Sequence, residues 1–315
     1  MILFVIMYMV SFHLVIGGDD WFMVWLGMEI NMLMFIVIVF ERYSMLNMES
    51  CLKYFFIQSL GSAVFLSLFY ISKFSMDYML FLVLSYSIGA GPFFFWFPSV
   101  CGGVSWMSCF ILMSFQKIIP LVLISMIMSW IFFFIIFISL MLGVLGSFNQ
   151  RDLSNLMAYS SIYHLGWIML CILVNSSCWM NYMIMYMMMI FPVMIYFNKE
   201  NLIYLLNLIK KNSKLWMITL ILSMAGMPPF LGFFLKWFVF VKVMNESVFY
   251  MLILIVSSII MFYVYFRIIY DILLGYFCYM GWGSWSKESG KKILLDVVMV
   301  FGILFGIIIS LYLLL

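Results

Sequence analysis

Glu29, Lys117 and Lys236 lie deep inside apolar runs, in "WLGMEINMLMF", "MSFQKIIPLVL" and "FLGFFLKWFVF". An ionisable side chain at the centre of a membrane helix costs about 2.5–3.5 kcal/mol to insert, so the set represents about 8–10 kcal/mol unless each member is paired or hydrated. Such residues normally face a bundle interior or a water-filled path, where a carboxyl and two amines could hand protons on. Snorkelling to the interface is the competing reading for a lysine. His164, in "MAYSSIYHLGW", keeps company with Tyr159, Ser160, Ser161 and Tyr163. It is a further relay candidate, since imidazole both gives and takes protons near neutral pH. A satisfied polar residue on a helix is the competing reading there.

The segments that carry these side chains also carry helix breakers. Pro228 and Pro229 precede Lys236, Pro120 follows Lys117, and Pro92 follows Gly89 and Gly91 in "SIGAGPFFFWFP". Proline lacks the amide donor and its ring clashes with the carbonyl four residues back. Carbonyls freed in this way must find protein or water inside a membrane. Lys236 lies two helical turns after Pro229, so a broken helix is expected to aim polar backbone and a lysine at one spot. Pro120 is expected to disturb the Gln116 carbonyl beside Lys117. Kinks of purely structural origin compete with a proton or ion path as the explanation, because proline is common in membrane helices.

Of the 315 residues, 68% are hydrophobic and 9% charged, with mean hydropathy +1.23. Soluble domains are about half apolar and a quarter charged, so the chain is an integral membrane protein. The six cysteines form no C-x-x-C and signal neither a zinc site nor a disulfide framework. "GAGPFF" lacks the third glycine and the βαβ setting of a dinucleotide site. No metal, redox cofactor or nucleic acid is expected to bind this chain. The opening "MILFVIMYMVSFHLVIGG" has neither a basic leader with a cleavage site nor transit-peptide character, and is expected to be the first span.

A span needs about 20 apolar residues. That rule gives an all-α polytopic protein with about eleven transmembrane helices, near 2–16, 21–40, 51–72, 78–98, 104–128, 130–147, 153–173, 179–197, 215–243, 248–270 and 293–315. Helices should break near Pro92 and near Pro228 and Pro229. No linker divides residues 1–315, which read as a single transmembrane domain. Alternate loops place Arg42, Arg151, Lys199, Lys210, Lys211, Lys214, Lys287, Lys291 and Lys292 on the side of the N-terminus, against Lys73 and Lys242 on the other. The positive-inside rule then puts the N-terminus inside and the C-terminus outside. Loop 198–214 reads either as a small interfacial helix or as a solvated linker.

"WLGMEINM", "ESCLKYFFIQS", "GPFFFWFPSV", "SFQKIIPL", "NQRDLSNLMAYSSIYHLGW" and "GMPPFLGFFLKW" resemble, in order, segments of the subunit 2 family of mitochondrial NADH:ubiquinone oxidoreductase, respiratory complex I. The resemblance covers nearly the whole chain. It implies an antiporter-like module of the membrane arm in the mitochondrial inner membrane, with its N-terminus in the matrix and its C-terminus in the intermembrane space. It also implies other membrane-arm subunits, neighbouring antiporter-like subunits, accessory subunits and lipids as partners. FMN, iron–sulfur clusters and ubiquinone would belong to other subunits. Glu29 matches the family's buried glutamate, Lys117 the lysine of its Q-K-hydrophobic-P motif, and Lys236 the lysine of its broken helix.

The departures fall in two stretches. Ser87 stands where the family usually has a lysine before the glycine, and Phe94 replaces a histidine. Ser154 and Asn155 stand where many relatives carry basic residues. The cation expected to pair with Glu29 is therefore absent. Either the proton route runs through Lys117 and ordered water, or the module braces its neighbours without conducting. A stand-alone cation/proton antiporter is the third reading, and the motifs favour the assembly.

Overall fold

The computed structural model describes residues 2–18, 20–42, 44–71, 77–127, 131–148, 150–174, 178–202, 204–205, 214–244 and 248–279. Among these residues the regular structure is helical, without a strand; an isolated bridge joins Asp152 and Tyr204. In chain order the helices are α1 (Ile2–Ile16), α2 (Trp21–Val39), α3 (Met45–Ile71), α4 (Asp77–Ile88), α5 (Trp96–Cys101), α6 (Trp106–Met113), α7 (Phe115–Met126), α8 (Ile131–Ser147), α9 (Leu153–Val174), α10 (Cys178–Glu200), α11 (Lys214–Ala225), α12 (Leu231–Val243) and α13 (Val248–Tyr279). Six helical stretches among the described residues are long and apolar enough to cross a bilayer: Trp21–Val39, Met45–Tyr70, Trp106–Met126, Leu153–Val174, Cys178–Glu200 and Val248–Leu274. The expected span 293–315 and most of loop 198–214 lie outside the described residues.

Several helices outlast the apolar runs that announce them. α3 begins at Met45 rather than near 51, and its first turns carry a Glu49–Lys53 ion pair of 2.6 Å. Opposite charges four residues apart support a helix outside the hydrocarbon. α13 likewise continues past residue 270 to Tyr279.

Three expected spans are interrupted. The run expected over 78–98 is divided into α4 and α5, with a short 3-10 turn at Gly91–Phe93 between them. α4 closes in a Schellman arrangement: Ala90 N donates to the Ser85 carbonyl at 2.9 Å and Gly89 N to the Tyr86 carbonyl at 3.2 Å. Gly89 sits at φ +75, the left-handed conformation that this cap requires and that glycine adopts without penalty. The first half of the run over 215–243, α11, ends in the same way. Met227 N reaches the Leu222 carbonyl, Gly226 N reaches that of Ser223, and Gly226 sits at φ +83. Pro92, Pro228 and Pro229 follow these caps, where a residue unable to continue the helix is commonly found.

The run expected over 104–128 is also broken, but not at Pro120 itself. α7 runs through it without a break, and the interruption between α6 and α7 falls at Ser114, with φ −113 and ψ −81. Helix α7 starts only five residues before the proline, so few backbone bonds precede the ring. The turn that a proline disturbs is the one on its N-terminal side.

The chain divides into two compact units, Met1–Gly143 with Met157–Met169, and Val144–Leu156 with Leu170–Leu315. The divisions fall within α8 and α9 and not in a linker. In the first unit, α1 packs on α2, α2 on α3, α3 on α4 and α5, and α4 on α7. Glycines set the α8–α9 approach there. A Cβ on Gly143 would lie 2.6 Å from the Tyr163 amide nitrogen, and one on Gly166 would lie 2.7 Å from the Leu140 side chain. Small residues let membrane helices approach where burial from water gives little drive. In the second unit, α10 packs on α11 and α12, and α11 on α12 and α13.

Candidate functional site

In the first unit, α2, α3, α4, α5, α6 and α7 enclose two small adjoining cavities. The first, of about 40 Å³, is bordered by Asn31, Tyr54, Gln58, Ser87, Gln116 and Lys117 among others. The second, of about 30 Å³, is bordered by Glu29, Gln58, Gly61, Ser62 and Ser87. Gln58 and Ser87 form part of both walls, with Met28 and Met32. Gln58, Gly61, Ser62 and Phe65 recur at helical spacing, which puts them on one face of α3.

Lys117 is 2% exposed. Its Nζ donates to the Ser161 carbonyl at 3.4 Å and lies 4.6 Å from the centre of the Phe97 ring. A cation over an aromatic face is favourable, and an ammonium has three donors to place. Beside it, the Gln116 Oε1 accepts from the Tyr54 hydroxyl at 3.1 Å, while its Nε2 is buried without a protein partner. Glu29 is half-buried, and its Oε1 accepts from the Ser62 hydroxyl. Ser87 donates its own hydroxyl to the Leu84 carbonyl at 2.7 Å and receives the Gln58 amide on its carbonyl at 2.8 Å. The structure thus places Glu29 and Ser87 on one cavity and Ser87 and Lys117 on the next.

His164 is buried on α9, three residues after Ser161, with its ring edge-on to Tyr163 at 5.3 Å. Ser160 and Ser161 donate back along α9 to the Met157 and Ala158 carbonyls, both at 2.7 Å. Phe94 packs against Phe95 and Tyr159, an aromatic setting for the position where a histidine was expected.

Lys236 belongs to the second unit. It is 7% exposed, and its Nζ donates to the Ala225 carbonyl at 2.8 Å. Ala225 is the last residue of α11, so the lysine from α12 sits at the carbonyl end of the interrupted helix. The partial negative charge of a helix C-terminus attracts a cation. Gly226 leaves room for it, since a Cβ there would meet Nζ at 2.9 Å. The opposed halves of the broken helix therefore place a polar backbone end and a lysine together.

Residues 18–261 match the family model described as "NADH:quinone oxidoreductase/Mrp antiporter, TM". The chain belongs to this family. Similar proteins include NADH-ubiquinone oxidoreductase chain 2 of Anopheles gambiae, 37% identical over 86% of this chain and 85% of that one. The same-named chain of Aedes aegypti is 33% identical over 98% of this chain and 96% of that one. Among solved structures, a chain of respiratory complex I from Thermus thermophilus with bound aureothin has a TM-score of 0.82 at 19% identity, covering 99% of this chain and 78% of that one. A chain of the Mrp complex from Dietzia sp. has a TM-score of 0.69 at 12% identity, covering 98% and 75%. These structures share the antiporter fold with this chain.

Charge alone does not mark the neutral members of this candidate site: Asn31, Gln58, Ser62 and Gln116. A signal for them exists in the sequence. Amide side chains inside apolar spans need partners there as charges do, and "EIN" and "FFIQS" each place one within such a span.

Proposed function

We propose that this chain is a core membrane-arm subunit of respiratory complex I, which contributes to proton translocation across the inner mitochondrial membrane while NADH is oxidised by ubiquinone elsewhere in the complex. FMN, iron–sulfur clusters and the ubiquinone site belong to other subunits in this reading. The observation that carries it is Lys236, a buried amine held on the carbonyl end of a broken helix, with Lys117 as its counterpart, buried beside a cavity that Asn31, Gln58, Ser87 and Gln116 also line. Glu29, Lys117, His164 and Lys236 are the proton-path residues. The chain forms one antiporter-like domain over residues 1–315 and crosses the membrane eleven times, with its N-terminus in the matrix and its C-terminus in the intermembrane space. The charge distribution of its loops supports that orientation. Neighbouring antiporter-like subunits, accessory subunits and lipids cover its outer faces, where large apolar side chains such as Phe134, Val248 and Phe249 are exposed.

Protons would move by electrostatic coupling: a proton arriving at one buried site changes the affinity of the next. Translocation against 100 mV requires about 2.3 kcal/mol per charge. The test is Lys117→Met and Lys236→Met in the intact complex, with protons translocated per NADH oxidised measured in sealed vesicles. Each is expected to lower that ratio. An unchanged ratio for both would support the second reading, a non-conducting brace, which the Ser87 hydroxyl turned onto its own helix favours.

A further inference from the structure

Asn31 is 3% exposed, and neither atom of its amide has a protein partner. It borders the same 40 Å³ cavity as the unpartnered Gln116 Nε2 and as Lys117, whose donors exceed the one carbonyl they reach. Buried polar groups are almost always hydrogen-bonded, to protein or to water. A space of about 10–15 Å³ takes one water molecule by this measure, so the two cavities have room for roughly five between them. They are small, and Gln58 and Ser87 are the polar residues common to both linings.

The Gln58 amide is oriented by its bond to the Ser87 carbonyl. With Nε2 fixed, Oε1 is the acceptor that Gln58 presents to its surroundings. In the second unit the carbonyl of Ala225, the residue before the Gly226 cap, is taken by Lys236; in the first unit a neutral amide takes the Ser87 carbonyl, two residues before the Gly89 cap.

We propose that Asn31 and Gln58 position water that joins Glu29 to Lys117 past Ser87, a hydrated bridge in place of a lysine side chain. This inference rests on the proton-translocating reading above and deepens it. The amides carry no proton themselves. A proton given up by the Glu29 carboxyl is accepted by a water, which passes one of its own along the row until the Lys117 amine takes it. The number of waters is unchanged, and the reverse transfer follows the same atoms. Asn31 and Gln58 are positioning residues in this scheme.

The experiment uses the intact complex carrying Gln58→Leu, Asn31→Leu, Gln58→Glu or Lys117→Met, with complex content matched before assay. Protons translocated per NADH oxidised are read in sealed vesicles, and water positions in a high-resolution structure of the unaltered complex. Both leucine variants are expected to lower the ratio as far as Lys117→Met does, and Gln58→Glu, which in its protonated form keeps both a donor for the Ser87 carbonyl and an acceptor, to retain it. Adding Ser87→Lys to Gln58→Leu is expected to restore the ratio, a rescue that a purely packing role for Gln58 would not give. Wild-type ratios in both leucine variants beside a lowered ratio in Lys117→Met would overturn the bridge and leave the proton-translocating reading intact. An unchanged ratio in Lys117→Met would also overturn the bridge, and only an unchanged ratio in Lys236→Met besides would remove that reading. Should the leucine variants fail to assemble, cavities without ordered water in the unaltered complex would equally overturn the bridge.

Discussion

Replacing Gly226 by alanine tests how the broken helix holds Lys236. The substitution puts a Cβ at φ +83, 2.9 Å from Lys236 Nζ and 3.2 Å from its Cε. A left-handed conformation costs a residue with a Cβ about 1–2 kcal/mol. The lysine tip is the flexible party, so it moves away and leaves the Ala225 carbonyl, which it now meets at 2.8 Å. A buried polar group left without its partner costs about 1–3 kcal/mol. The sum is about 2–5 kcal/mol, read as a lower temperature for heat-induced loss of the subunit from the solubilised complex. Because one contact carries the second contribution, Gly226→Ala and Lys236→Met should not add. The double variant is expected to be more stable than the sum of the single losses predicts by about 0.5–3 kcal/mol, the range seen for contacting residues. A Gly226→Ala complex as stable as the original, or effects that add to within about 0.5 kcal/mol, would refute the proposed coupling between the cap and the lysine.

Three further substitutions probe the first unit. Gly143→Ala should destabilise by about 1–3 kcal/mol through overpacking, since its Cβ meets Tyr163 backbone atoms that cannot swing aside; Gly61→Ala, whose Cβ meets the Tyr86 ring at an ordinary 3.5 Å, should instead be neutral or stabilising by up to about 1 kcal/mol. The same dissociation temperature reports both. Tyr54→Phe removes the donor to Gln116 and should cost about 0.5–1.5 kcal/mol, with a larger cost arguing that the hydroxyl serves more than this one bond.

Composition and hydrophobic run length alone determined that this is a helical membrane protein, and roughly where its apolar helices lie. The expense of burying a charge in hydrocarbon is local and large, so it marked Glu29, Lys117 and Lys236 without any knowledge of their neighbours. Glycine and proline marked two interruptions for a similarly local reason: Gly89 and Gly226 close their helices through conformations that other residues resist. The position of the break at Ser114 was not legible, because no glycine or proline marks it and Pro120 lies in the helix that follows. Tertiary structure decided which polar groups share a space. Ser62 meets Glu29 across 33 positions in sequence, Gln58 meets Ser87 across 29, and Lys117 meets Ser161 across 44. Such pairings depend on which faces of separate helices turn toward each other. A neutral amide carries so little insertion penalty beside a charge that only its enclosure, here against a pair of small cavities, distinguishes it from any other polar residue in a span.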